Sequence, residues 1–333
     1  VTVRQRDVAR LAGVSPRTVS NVVNEYVHVS PEVRVKVQAA IDELGYRRSA
    51  AARGLRLGRT GMIALAVPSL RERYFADLAE AVVHQAELHD LTVMIEVTGG
   101  HRDRERLVLS GGRSSLTDGA LMSAVELTKT DAKMAAGAAY PLVLIGDRHI
   151  PGPFDHVAIP NSEGAHAAVT HLLELGRRRI ALLGDANANK SGQLRRRGFL
   201  TALAAAGVEF DARWELATSW TREAGRTAVA ELLEQGDRPP DGIFALNDSL
   251  ALGALVALAE YDVRVPVDLA VVGFDDIEEA RFSNPPLTSV APSVAEIARL
   301  GVDLLVRRLD EPERKAHHLV SQFHLVHRRS TIA

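Results

Sequence analysis

The residues of this chain best equipped to hold a small molecule stand where apolar runs end. Ser69 follows GMIALAVP, and Phe75 opens the helical pattern after it. Asp147 and Arg148 follow LVLIG, Asn161 follows HVAIP, and Arg195 lies in SGQLRRRGF. Trp220 follows LATS, Asn247 and Asp248 end IFAL, and Asp275 and Asp276 end LAVVGF. An arginine fork, a carboxamide and carboxylates offer directional hydrogen bonds to hydroxyls, and an indole face covers the apolar side of a sugar ring. Singly, each residue fits a helix cap or a surface position as readily as a ligand contact; their common location sets them apart.

The elements that must carry these residues follow from periodicity. GMIALAVP is a short strand-like run, YFADLAEAVVHQAEL a helical pattern, and LTVMIEV another strand. The alternation recurs through DGALMSAV, PLVLIGD, HVAIP, RRIALLGD, DGIFALND and LAVVGFDD, which predicts α/β architecture with doubly wound parallel sheets. So many strands need two sheets. In such sheets ligands bind beyond the carboxyl ends of the strands, where the polar residues above cluster.

The N-terminal stretch is of another kind. VRQRDVARLAGVSPRTVSNVVN holds two short helical patterns, one with Val8, Ala9, Leu11 and Ala12 on its apolar stripe and one with Val19, Val22 and Val23. Gly13 suits the corner between them, Ser15 can cap the second helix, and Pro16 fits its first position. A third helix begins after the cap Ser30 at Pro31, buries Val33, Val37, Ala40, Ile41 and Leu44, and stops at Gly45. Three short helices with a small alanine and valine core and a three-residue turn predict a helix-turn-helix headpiece.

Charge separates this headpiece from the rest. The formal net charge is -2, yet residues 1–59 carry eleven Lys/Arg against five Asp/Glu, so the remainder is acidic by about eight charges. A basic module on an acidic body is the layout expected when one end meets phosphate. The chain has no cysteine, which excludes disulfides and thiolate chemistry. There is no GxGxxG or GxxxxGK[ST] loop, no HExxH and no comparable metal-ligand spacing, and His317-His318 read as a surface turn, so neither catalysis nor a cofactor nor a metal is expected. No apolar signal segment and no run of about 18 apolar residues occurs, which predicts a soluble cytoplasmic protein without a membrane partner.

DVARLAGVSPRTVSNVVN followed by VSPEVRVKVQAAIDELGY resembles the LacI/GalR family of bacterial transcription regulators, as do HLLELGRRRIALLG, ALNDSLALGALVAL, VPVDLAVVGFDD and NPPLTSV further on. The resemblance implies a helix-turn-helix headpiece over 1–46, a hinge helix or linker over 47–60, and over 61–333 an effector-binding and dimerisation domain of periplasmic-binding-protein type. Its first lobe is expected at about 61–160 and 291–320, its second at about 161–290 and 321–333.

Carried over by position, the family's base-reading residues fall on Pro16, Arg17 and Asn21 of the second helix, where Arg17 suits guanine and Asn21 an adenine edge. Thr18, Ser20, Asn24 and the amide of Val14 or Ser15 are the implied phosphate contacts. In RRSAAARGLRLGRT the implied minor-groove wedge is Leu55, on a hinge helix that folds only on DNA. Relatives often have arginine at the position of Asn21, and usually Pro-Asn where this chain has Arg48-Ser49; Gly54 weakens the hinge further.

In the body, the resemblance puts the polar ligand contact on Arg195, the ring-stacking role on Trp220, and further contacts on Asn247 and Asp275. A carbohydrate or polyol fits these groups, and a purine fits them too. Relatives commonly have Asp-Asn where this chain has Pro160-Asn161, which removes a hydroxyl acceptor or an inter-lobe contact. The implied protein is a homodimeric repressor on a pseudo-palindromic operator, controlled by a small-molecule effector. A solute-binding protein and a nucleoid protein are the alternatives; the first leaves the basic end unexplained, the second the cleft.

Overall fold

The computed structural model describes residues 3–23, 26, 28–46, 59–135, 140–148, 150, 152–235 and 239–332. Asn24, the Arg48-Ser49 pair, Gly54 and Leu55 lie outside the described residues. The chain divides into two compact units at Gly61 and Met62.

In the first unit, α1 (Gln5–Ala12), α2 (Pro16–Val23) and α3 (Pro31–Leu44) close around Val8, Ala9, Val19, Val22, Val37 and Ala40. Gly13 ends α1 at φ 67°, a left-handed conformation that costs glycine little. The Ser15 hydroxyl accepts from the Thr18 amide at 3.0 Å, capping α2, and Ser30 accepts from Val33 to cap α3. Leu11, expected on the buried stripe, is 46% exposed: Val8, Ala9 and Ala12 turn inward and leave it on the flank of an eight-residue helix. Val23, Val33, Ile41 and Leu44 are only partly buried around this small core.

The second unit holds two six-stranded sheets. The first is ordered β11-β5-β4-β3-β1-β2, where β1 is Met62–Val67, β2 Thr92–Val97, β3 Gly119–Ser123, β4 Leu142–Ile145, β5 Asp155–Ala158 and β11 His318–Val320. The second is ordered β12-β10-β9-β8-β6-β7, with β6 at Ile180–Leu183, β7 at Glu215–Leu216, β8 at Gly242–Ala245, β9 at Ala270–Phe274, β10 at Thr288–Pro292 and β12 at Phe323–Val326. The pairings are parallel except for β10 with β12, which run antiparallel with Ser289 opposite Val326.

The central strands are buried along their length, except for half-buried Ser123 at the end of β3, because helices cover both faces of each sheet. In the first sheet, Ile63, Leu65 and Val67 face α4 (Arg73–Glu87), while Ala64 and Ala66 face the side of α5 (Arg102–Leu109) and α6 (Lys129–Ala135). In the second, one core gathers β6, β8 and β9 with α7 (Asn161–Glu174), α8 (Lys190–Ala205), α9 (Arg222–Glu234) and α10 (Asp248–Glu260). The short α11 (Glu278–Phe282) follows β9. Helix α12 (Val294–Asp310) comes after β10 of the second sheet yet packs Ile297, Val302 and Leu305 on the first. The chain thus crosses between lobes at Ile159-Pro160, at Ser293 and at Ser321-Gln322.

Candidate ligand-binding cleft

One helix pairing, α7 with α8, positions the centre of the cleft. Gly198 on α8 lies so close to α7 that an added Cβ would collide with the Ser162 carbonyl, and this approach brings Arg195 on α8 beside Asn161 at the start of α7. Arg195 is 5% exposed. Its Nε donates to Asn161 Oδ1 at 2.5 Å, its Nη1 to the Leu246 carbonyl and its Nη2 to Asp275 Oδ1 at 3.1 Å. The guanidinium carbon stands 3.6 Å from the centroid of the Phe274 ring, a stacked cation on an aromatic face.

Asn161 completes a bridge across the lobes: its Nδ2 donates to Asp147 Oδ2, after β4, at 2.6 Å, and Ser191 on α8 donates to the same oxygen at 2.5 Å. Asn161 is 1% exposed and does not line the cleft, so the expected ligand contact is a buried connector.

The cleft has a volume of about 220 Å³. Phe75, Asp147 and Arg148 line it from the first lobe and Arg195, Trp220, Asn247 and Asp275 from the second, so seven of the nine residues expected at a ligand site converge there. Besides Asn161, the other absentee is Ser69, whose hydroxyl accepts from the Arg71 amide two residues on. Trp220 is anchored by its Nε1–H, which donates to the Asp185 carbonyl at 3.0 Å, and its ring packs on the core while lining the cleft. Asn247 caps α10 through Leu250, and its Nδ2 donates to the Trp220 carbonyl. Asp275 adopts φ 105°, a conformation side chains rarely take, which costs roughly 1–3 kcal/mol and recurs at functional sites.

The electrostatics are those of crowded carboxylates in a poorly solvated space. Burial lifts the Asp275 carboxyl to about 6, opposed by Arg195 and aided by Asp147. Burial also raises Asp147, against the donors Ser191 and Asn161, and desolvation with the charge of Asp275 raises Glu72. Asp248, expected with Asn247 at a strand end, is fully buried beneath the cleft; it accepts from Ser289 Oγ at 2.6 Å and from the Ile277 amide at 2.9 Å.

Sequence reasoning missed several members. Ser191 lies four residues before Arg195 on one helical face, a spacing that would have found it. Glu72 and Tyr74 line the cleft on either side of the entry into α4, beside the expected Phe75. Glu105 had no signal: in RDRERLVL it reads as one charge on a solvated face, yet it is fully buried. Its carboxylate accepts from the amides of Val125, Glu126 and Leu127 at 2.8, 2.9 and 3.0 Å, fixing the loop after β3 that forms part of the cleft wall. Arg148 clamps the same loop by donating to the Leu127 carbonyl at 2.5 Å.

Residues 6–49 match the model of bacterial regulatory proteins of the lacI family, and residues 169–331 match a periplasmic binding protein-like domain. The chain is 31% identical over 316 residues to the ribose operon repressor of Haemophilus influenzae, covering 95% of this chain and 94% of that one. It is 32% identical over 326 residues to the HTH-type transcriptional repressor PurR of Mannheimia succiniciproducens, covering 98% and 97%. The chain belongs to the LacI family.

Membership makes this LacI-family protein a DNA-binding regulator and not an enzyme. Among solved structures, the lac repressor dimer bound to operator and the anti-inducer ONPF matches with a TM-score of 0.83 at 29% identity over the whole of both chains. The transcriptional regulator CelR in complex with cellobiose matches with a TM-score of 0.72 at 32% identity, covering 98% of this chain and 99% of that one.

Proposed function

We propose that this LacI-family regulator is a homodimeric transcriptional repressor whose hold on a pseudo-palindromic operator is set by a sugar-sized effector in the cleft. The observation that carries the effector reading is the convergence of Trp220, Asn247, Asp275 and Asp147 from both lobes on one small space. An aromatic wall with carbonyl and carboxylate acceptors suits a ring with an apolar face and a hydroxyl rim. Pockets for drug-sized ligands run to about 300–1,000 Å³, so 220 Å³ favours a monosaccharide over a larger molecule. The ribose operon repressor and the cellobiose complex among the relatives support a carbohydrate; a purine base is the second reading, since Arg195, Asp275 and Trp220 also suit one.

The operator reading rests on α2. Ser15, Pro16 and Arg17 are exposed there and Thr18, Ser20 and Asn21 half-buried, leaving Arg17 available for a guanine edge. A two-fold operator calls for two headpieces, and the outer face of the second lobe offers a surface for a second copy. There Leu252, Leu255, Val256 and Phe282 line an apolar groove of about 1000 Å³, with Phe282 80% exposed. The charges on its rim, Arg222 with Glu279 and Arg226 with Glu260, are paired within the chain.

The test is selection of operator DNA from a random pool by the full-length protein, with and without a panel of sugars and purine bases. A short pseudo-palindrome whose retention changes with one sugar is expected. Broad protection of DNA, or a palindrome indifferent to every panel member, overturns the switch.

A further inference from the structure

Beneath the cleft, outside its lining, lies an acid with no cation beside it among the described residues. Asp248, the first residue of α10, is fully buried. Its Oδ2 meets the Ile277 amide at 2.9 Å and its Oδ1 meets Ser289 Oγ at 2.6 Å. Ser289 Oγ in turn accepts from the Asp276 amide at 3.1 Å and has the Val290 carbonyl 3.5 Å away. Asp248 and Ser289 thus take up two successive amides of the turn 275–277, while the Asp275 amide donates to the Val290 carbonyl. The turn needs such support: Asp275 and Asp276 adopt φ 105° and 48°, in the left-handed region that residues with side chains rarely take. A Cβ on Gly273 would fall 2.1 Å from Asp248 Oδ1, so β9 leaves room for the carboxyl only because glycine stands there.

This turn leads to three surfaces. Asp275 lines the cleft, Glu278 just past the turn stands 3.3 Å from Arg73 of the first lobe, and Phe282 at the end of α11 lines the outer groove. A group that fixes the turn bears on all three. Its charge is decided by what faces it. The carboxylates of Asp275 and Asp276 are its charged neighbours, and the cations beyond them are committed, Arg195 to Asp275 and Arg328 to Asp276 at 2.6 Å. From β9 and β10 the facing residues are Gly273 and Ser289, both uncharged. The amino end of α10 favours negative charge, yet the Leu250 amide there is taken by Asn247. A buried carboxylate without a cation is costly enough that the group takes up a proton instead. Burial, with the charges of Asp275 and Asp276, pushes Asp248 well above the usual carboxyl range against its bonds to Ser289 and Ile277.

We propose that Asp248 is the positioning residue of turn 275–277 and holds it as a neutral acid at neutral pH, its proton bridging Oδ1 and Ser289 Oγ. The carboxyl then donates to Ser289 Oγ, whose own hydrogen turns to the Val290 carbonyl, while Oδ2 accepts from Ile277 and Ser289 still accepts from Asp276. Every bond of the turn is kept without a buried charge. The role is the same whatever molecule occupies the cleft.

The test uses the full-length protein, with Asp248→Asn as the isostere of the neutral acid, since its amide nitrogen donates to Ser289 Oγ and its oxygen accepts from Ile277. A neutral Asp248 keeps in the fold a proton that the unfolded chain releases above pH ~4, so its contribution to stability is complete below that pH and lost as pH rises. In denaturant titrations from pH ~5 to ~7, the unfolding constant of the parent divided by that of Asp248→Asn should rise about tenfold per unit, leaving the variant the more stable at pH ~7. A ratio that does not change with pH, or an Asp248→Asn protein that is destabilised or unfolded, overturns the neutral acid. Carboxyl carbon-13 resonances of aspartate-labelled protein read the same proton directly. The signal missing from Asp248→Asn should stay at its protonated position across this range, and Asp275 should titrate at the same midpoint, about 6, in parent and variant. An Asp248 signal at the ionised position, or a midpoint of Asp275 that falls in the variant, exposes a negative charge on Asp248 and overturns the proposal. Asp248→Ala tests the positioning. Relative to the amides of β4, hydrogen exchange at Ile277 should be at least about tenfold faster in Asp248→Ala and unchanged in Asp248→Asn. Equal protection of Ile277 in both variants removes Asp248 from the support of the turn.

Discussion

Asn161 and Arg195 are joined at 2.5 Å where the chain first crosses from one lobe to the other, and through Asn161 the guanidinium reaches Asp147 of the opposite lobe. The carboxamide is the adaptor: its oxygen accepts from the arginine and its nitrogen donates to the carboxylate. Asn161→Ala strips a partner from two buried charged groups at once. The ligand-free variant should lose roughly 2–4 kcal/mol of stability by denaturant titration. Unchanged stability would mean that Ser191 for the carboxylate, and Leu246 and Asp275 for the guanidinium, suffice without the carboxamide.

Asp275 gives the cleft a pH dependence with opposite signs for stability and affinity. Its carboxyl is raised from 3.8 to about 6 by burial, so between these values the folded chain keeps a proton that the unfolded chain has released. Its contribution to stability is thus complete below the lower value and lost as pH rises through the upper one. A ligand hydroxyl donating to the ionised carboxylate is bound less tightly as pH falls through 6, by up to about tenfold per unit. Melting temperatures and titrations from pH ~7 to ~5 should therefore move in opposite directions, and Asp275→Asn should flatten both trends relative to the parent.

Glu105 holds three successive amides with two oxygens, which glutamine cannot do, since its amide nitrogen donates. Glu105→Gln should speed hydrogen exchange at Val125, Glu126 or Leu127 and lower stability by about 1–3 kcal/mol. Exchange at these amides indistinguishable from the parent would remove Glu105 from the cleft's framework.

Arg17 and Ser15 should fail differently on DNA. Arg17→Ala is expected to cost about 1–3 kcal/mol of operator affinity and to relax preference at one base pair, read by binding to a set of operator variants. Ser15→Ala removes the cap of α2 and should lower headpiece stability by about 1 kcal/mol without changing which base is preferred. A uniform loss across all operators from Arg17→Ala would make that residue a phosphate contact instead.

Phe282, at 80% exposure and lining the same groove as Val256, is the residue whose replacement by a charged side chain should matter most to assembly. Phe282→Glu places a charge in the apolar groove and should shift sedimentation from dimer to monomer, weakening operator binding with it. A dimer that survives the change must form through another face.

Much of this layout is legible in the sequence because central strands buried on both faces are continuous apolar runs, as in LVLI and GIFA, with polar residues stationed at their exits. The β10–β12 pairing was not legible, since strand direction is a property of the path between elements and not of FHLV itself. Ser69 and Asn161 show the limit at the cleft: both stand at strand exits, but one turns back on its own backbone and the other is drawn beneath the floor by Arg195. Glu105 marks the opposite failure, where a charged residue is internal because three amides in a distant loop need an acceptor.

The late arrival of α12 bears on how the protein is made. One face of the first sheet, with Ile63, Leu65 and Val67, is covered partly by this helix, and Arg308 on it pairs with buried Asp155 of β5. During synthesis at ~5–20 residues per second, α12 leaves the ribosome only after nearly all of the second lobe has been translated. For many seconds the nascent first lobe therefore presents a sheet face only partly covered, by α4 alone, and a carboxylate without its arginine partner, making this interval the one in which chaperone occupancy or misassociation between neighbouring chains on a polysome is decided.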